Sequence, residues 1–243
     1  MIKTEHIKGV IFDYGGTIDT NSIHWAEVLW QKYELHQVPV DKESFREAFV
    51  YGERSLAKHP YIRPEHNFHD VLRIKLQLHM EFLAGQGKLA KDESSLNRYA
   101  TLIADSAYQH VLDVLKITRP IIADLAKRYK LVLVSNFYGN IETILKDFDL
   151  FDYFSSIIES AVVGIRKPDP AIYQLGVDAM GFPASNVLVV GDSFPKDVVP
   201  AKSIGCQVVW LKGIGWNKDE KNDESVPDAI ITDMAQLPSL FEL

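Results

Sequence analysis

The chain has 243 residues, 47% hydrophobic and 24% charged, enough apolar material for one large core or for a core domain carrying a smaller insert. A formal net charge of -7 excludes nucleic acid or an anionic membrane held by bulk charge. Cys206 is the single cysteine, residues 1–6 carry no apolar signal core, and no apolar run reaches spanning length, so the expectation is a soluble cytoplasmic protein without disulfides or membrane partners.

Residues 7–12 are an apolar run ending in Asp13, with Tyr14, Gly15, Gly16 and Thr17 behind it. This reads as a buried strand that delivers a carboxylate to its C-terminal edge and then turns sharply. From residue 22 to about 116 the apolar spacing is helical. Ile23, Ala26, Trp30 and Tyr33 line a first helix, and Asp41 caps a second with Phe45, Ala48 and Phe49 inward. A third starts near Glu65 and stops at Gly85-Gln86-Gly87, and Asp92 caps a fourth. From Pro120, expected in the first turn of a new helix ending near Tyr129, strands and helices alternate. The strands are 131–135, Ser156–Glu159, 187–190, Gln207–Leu211 and Ala229–Ile231; the helices are 140–148, 170–180 and 195–204. Residues 217–225 read as a mobile surface loop. The pattern predicts a Rossmann-like parallel α/β sheet, residues 1–19 and 117–243, with an all-helical cap, 20–116, inserted after the first strand and able to close over its end.

Four places carry residues suited to chemistry, each with a plain structural reading beside it. Asp13 is a turn cap or a nucleophilic, metal-ligating carboxylate; Gly15 and Gly16 let backbone approach a ligand, and Thr17 offers a hydroxyl and an amide to an anion. Ser135 and Asn136 end a strand, where a hydroxyl and amides bind oxyanions or simply make a turn. Lys167, stiffened by Pro168 and Pro170, either neutralises a phosphate or is solvated, and Arg166 beside it reads as surface. Gly191-Asp192-Ser193 with Asp197 suits Mg2+, or caps a helix.

In this order, Asp13-Tyr14-Gly15-Gly16-Thr17, then Ser135-Asn136, then Lys167 in Lys-Pro-Asp-Pro, then Gly191-Asp192 with Asp197, the chain resembles the haloacid dehalogenase-like hydrolases over essentially its whole length. The resemblance implies a phosphatase acting on a small phosphorylated metabolite. Asp13 would be the nucleophile and Lys167 the second catalytic residue. Thr17, Ser135 and Asn136 would bind phosphate. Mg2+ would be held by Asp13, the Gly15 backbone carbonyl and Asp192, with Asp197 in support. The sequence departs from the family pattern at Gly15, where most family phosphatases place a second aspartate as acid and base. Asp19 is a substitute, or a turn residue, the commoner role. Three other readings remain: a 2-haloacid dehalogenase, a phosphate-binding pseudoenzyme and, less favoured, a phosphonate-cleaving enzyme. His24, Trp25, Trp30, Arg54, Arg63 and Arg73 are cap candidates for specificity, each also readable as cap core or solvated surface. The oligomeric state is not legible.

Overall fold

The apolar runs become strands that are covered on both faces. In the computed structural model, which describes residues 2–215 and 222–241, they are β1 (Gly9–Phe12), β2 (Lys130–Ser135), β3 (Ser156–Glu159), β4 (Val187–Gly191), β5 (Gln207–Leu211) and β6 (Ala229–Ile231). All pair in parallel, in the order β3-β2-β1-β4-β5-β6. Val10, Ile11 and Phe12 are fully buried, as are Val187 to Val190. A parallel sheet needs such unbroken apolar runs because helices cover both faces. The chain leaves β1 toward β2 on one side and reaches β4 on the other, so strand order reverses at β1. Ligands of open α/β sheets bind at such a point, outside the carboxyl ends of the strands.

Between β1 and β2 lie four helices: α1 (Trp25–Leu35), α2 (Lys42–Lys58), α3 (Phe68–Gly85) and α4 (Glu93–Ala126). Their starts are fixed by side chains that accept otherwise orphaned amides. Asp41 accepts from Ser44 N at 2.7 Å, and Asp92 from Ser95 N at 3.1 Å. Asn67 and Asp70 form a reciprocal capping box, so α3 begins at Phe68 rather than near Glu65. The first helix likewise begins at Trp25, not at 22: Asn21 and Ser22 have positive φ, and Ile23 makes a bridge to Ile214. Residues 217–221 of the expected loop lie outside the described residues; Asp223–Ser225 are exposed.

The largest difference from the sequence reading is at Pro120. It opens no new helix; α4, 34 residues long, runs through it to Ala126. An interior proline costs a helix about 3 kcal/mol. Here Pro120 and Lys116 face solvent, where water can serve the carbonyl left without a partner. The opposite face buries Val114, Leu115, Ile122 and Leu125, and Thr118 Oγ1 donates to Ile18 O at 2.9 Å. That packing outweighs the local defect. The boundary expected at 116/117 thus falls inside one helix. Among the described residues no helix, α4 included, is long and apolar enough to cross a membrane.

Beyond β2 come α5 (Ile141–Asp147), α6 (Ser160–Val163), α7 (Ala171–Met180) and α8 (Val199–Ser203). The helix expected over 195–204 is split. Its first part, Phe194–Val198, is a wide π turn, and only the remainder is α8. Pro195 and Pro200 lack amide hydrogens to continue a regular ladder. Such turns are frequent at functional sites, and this one carries Asp197. The 3-10 helix Met234–Phe241 closes the described chain and was not expected from the sequence.

Inside the helical insert, Tyr33, Phe45, Phe49 and His79 pack as one aromatic cluster, with Tyr33 OH 3.3 Å from His79 Nδ1. Burial, aided by the Lys75 cation, pushes His79 down to about 3 from 6.5, so it is neutral in the fold. The unfolded chain therefore binds more protons between those values, and stability falls as pH falls through them. In His79→Leu the slope of unfolding free energy against pH, between 6.5 and about 5, is expected to be shallower by about 1 kcal/mol per pH unit. Urea titration checks this; an unchanged slope contradicts it.

Candidate active site

β1 and β4 pair in register, Phe12 opposite Val190, and Asp13 N donates to Val190 O at 3.0 Å. This places the carboxylate that follows β1 beside the one that follows β4. Asp13, Asp192 and Asp197 present oxygens within 4.8 Å of one another. Two glycines make that approach possible. A Cβ on Gly16 would lie 2.4 Å from Asp192 Oδ2, and one on Gly191 2.5 Å from Asp197 Cβ. Gly16 also has φ +98, a conformation side chains rarely adopt. Gly16→Ala is therefore expected to lower the free energy of unfolding by more than about 2 kcal/mol, read by urea titration.

Lys167 is buried at the centre of the cluster. Its Nζ donates to Asp13 Oδ1 at 2.6 Å and to Asp197 Oδ1 at 2.8 Å. Asp197 Oδ1 also accepts from Tyr173 OH at 2.7 Å, and Oδ2 accepts from Ser193 N at 2.9 Å. Thr17, fully buried, donates through Oγ1 to Asp13 Oδ2 at 3.3 Å. Burial pushes Asp13 up to about 6, opposed by Lys167. Asp192 is driven well above the usual carboxylate range by burial and by the charges of Asp13 and Asp197. Three carboxylates thus face one lysine. This excess of hard oxygen donors and negative charge fits a divalent cation such as Mg2+. Asp13 and Asp192 would hold it, joined by the Gly15 carbonyl, with Asp197 in support.

The other expected residues divide. Ser135 is buried at the end of β2 and lines the same cavity as Asp13 and Lys167. Asn136 is expected on phosphate, but its side chain serves Lys167: Oδ1 accepts from Lys167 N at 3.0 Å, and Nδ2 donates to Lys167 O at 3.1 Å. An anion would find only its backbone amide. Asp19 takes the turn role, with Oδ1 accepting from Gly16 N at 2.8 Å and Oδ2 from Trp25 Nε1 at 2.9 Å. Burial pushes its carboxyl up to about 7. Both oxygens are engaged in holding the turn, which leaves Gly15 without an evident replacement.

The cavity above these groups has a volume of about 1040 Å³ and is walled by both the sheet edge and the helical insert. His24, Trp25 and Arg54 line it; Trp30 packs on Phe45 instead, and Arg63 and Arg73 are exposed elsewhere. Arg166 is exposed but lies on the rim. Sequence reasoning missed Tyr173 and Trp210, whose Nε1 donates to Asp192 O at 2.8 Å. Tyr173 lies in the first turn of the helix after Lys167, which is the signal that could have found it. Trp210 gives none, since it reads as core of β5.

A parallel sheet whose central strand ends bring three carboxylates and a lysine together beneath a helical cover belongs to the doubly wound α/β class. The chain belongs to the haloacid dehalogenase-like hydrolase family, whose sequence pattern matches residues 7–205. It is 29% identical to the 5-amino-6-(5-phospho-D-ribitylamino)uracil phosphatase YigB of Escherichia coli K12 over 175 residues, 72% of this chain and 71% of that one. It is 29% identical to the phosphoglycolate phosphatase of Shigella boydii over 246 aligned positions, 95% of this chain and 90% of the relative. A solved dehalogenase structure superposes with a TM-score of 0.64 at 16% identity, covering 99% of this chain and 98% of that one, a likeness of fold alone.

Proposed function

We propose that the chain is a Mg2+-dependent phosphatase of small phosphorylated metabolites that works through an aspartyl-phosphate on Asp13. The observation that carries this reading is Lys167 bonded to both Asp13 and Asp197, with Asp192 completing the acidic cluster. The two relatives named as phosphatases support it. A dehalogenase attacks carbon and needs no cation, so three clustered carboxylates would serve it no purpose. A site that only binds phosphate needs no nucleophile beside a lysine.

In the first step one Asp13 oxygen attacks phosphorus and the bond to the leaving oxygen breaks. That oxygen takes its proton from solvent, since Gly15 has none to give. Thr17, Ser135 and the Asn136 amide hold the phosphoryl oxygens, and Lys167 both orients Asp13 and offsets their charge. Water then attacks phosphorus, the bond to Asp13 breaks, and phosphate leaves with the carboxylate restored. Bound Mg2+ supplies charge neutralisation for the phosphoryl group. The helical insert, α1 to α4, acts as the cap that limits the site to the few waters the two steps use. Phosphate release from p-nitrophenyl phosphate is expected with Mg2+ and lost on chelation. Folded protein that releases none under either condition would refute the reading.

A further inference from the structure

The cap wall of the cavity is mostly apolar, with Phe49, Phe68, Val71 and Leu72 facing it. Sunk in that wall is an ion pair that the mechanism above does not use. Lys75 Nζ of α3 lies 2.6 Å from Glu53 Oε1 of α2. Glu53 Oε2 accepts from Tyr138 OH at 2.9 Å, and Lys75 Nζ lies 5.6 Å from the centre of the Tyr138 ring. Lys75 is buried, whereas 35% of the Glu53 side chain is accessible, and all three residues line the cavity. The pair holds both charges: Glu53 is lowered and Lys75 raised by each other. Tyr138 lies three residues beyond Ser135, so one loop carries both a phosphate-site hydroxyl and the phenol that steadies Glu53.

A buried ion pair is weak support for stability, because well-packed apolar residues do as well or better in its place. Its hydrogen-bonding capacity is more informative. An ionised carboxylate accepts about four hydrogen bonds, and two of those of Glu53 are used by Lys75 and Tyr138. The remainder are open to donors in the cavity that Glu53 lines. Lys75, an adjacent N–H donor, has no acceptor capacity. An acceptor and a donor side by side, with net charge near zero, match neighbouring hydroxyls, one giving its proton to Glu53 and the other receiving from Lys75. A carboxylate end would have to compete with Glu53 for Lys75 and has no proton to give Glu53, and an alkyl end would leave both polar groups unmet.

We propose that Glu53 and Lys75, steadied by Tyr138, are the leaving-group subsite and select a phosphorylated polyol with adjacent hydroxyls. This rests on the phosphatase reading only in placing the phosphoryl end at Asp13. The test compares a five-carbon sugar-alcohol phosphate with pentyl phosphate and with 2-phosphoglycolate. Calorimetry with Mg2+ and Asp13→Asn protein, which cannot turn them over, gives the dissociation constants. The polyol phosphate is expected to bind at least about 100-fold more tightly than either of the others. In the added double variant Glu53→Gln with Lys75→Gln, which keeps shape and leaves no lone charge, the preference is expected to fall below about 5-fold. Equal binding of the three ligands, binding of none, or an undiminished preference in the double variant overturns the proposal. The first two outcomes need no folded double variant. Failure of the phosphatase reading shows separately, as absent phosphate release by the unaltered enzyme.

Discussion

Asp13→Asn is expected to cut phosphate release by about 10⁴-fold or more in kcat while the protein stays folded. The amide matches the carboxylate in shape, and its oxygen can still accept from Lys167, which keeps Asp197 as its second partner 2.8 Å away. What is lost is the nucleophile. If water attacked the substrate directly, Asp13 would only help to hold the cation and to orient Lys167, and its loss would weaken binding more than it slowed chemistry. Steady-state kinetics at saturating Mg2+ separate the two, with thermal unfolding as the check on folding. A residual rate within about 10-fold of the parent would exclude covalent catalysis at Asp13.

Gly15→Asp is expected to raise turnover of alkyl phosphates by about 10²–10⁴-fold, the usual contribution of a placed acid and base. Gly15 has ordinary φ, and a Cβ there would meet nothing nearer than Trp25 Cδ1 and Nε1 at 4.0 Å. The residue lines the cavity, so the new carboxyl would enter it beside Asp13. Gly16 offers the contrast, since its Cβ would strike Asp192. A gain in kcat is expected for p-nitrophenyl phosphate too, although its leaving group departs as a stable anion without a proton, because the new base would speed hydrolysis of the aspartyl-phosphate. Parallel kcat measurements on the two substrates check this. No gain on the alkyl phosphate would mean that another group already moves the proton.

The sheet was legible because burial on both faces leaves unbroken runs such as residues 187–190, and no competing pattern imitates them. The clustering of Asp13, Lys167, Asp192 and Asp197 was legible because each follows a strand end or stiff turn. The misreadings share one cause, the dominance of tertiary packing over local preference. Pro120 signals a helix start, but a buried stripe carries α4 through it. The Asn136 side chain is turned to the Lys167 backbone, a contact across 31 positions that local pattern does not show. Asp19 is no misreading: the turn role that its sequence context favours is the one its bonds from Gly16 N and Trp25 Nε1 give it. Glu53 and Lys75 gave no sign, because they are 22 positions apart on different helices, and only the packing of α2 on α3 brings them together.

The covalent role proposed for Asp13 and the glycine at position 15 together make a kinetic demand. With p-nitrophenyl phosphate the first step needs no acid, whereas the second lacks its base, so the aspartyl-phosphate should accumulate. The decisive measurement is the pre-steady-state release of p-nitrophenol with Mg2+, with acid-quenched samples mapped by mass spectrometry. A burst of one p-nitrophenol per active site, with phosphate on the peptide that contains Asp13, is the expected result. Release that is linear from the first turnover, with Asp13 unmodified at every quench time, would contradict it.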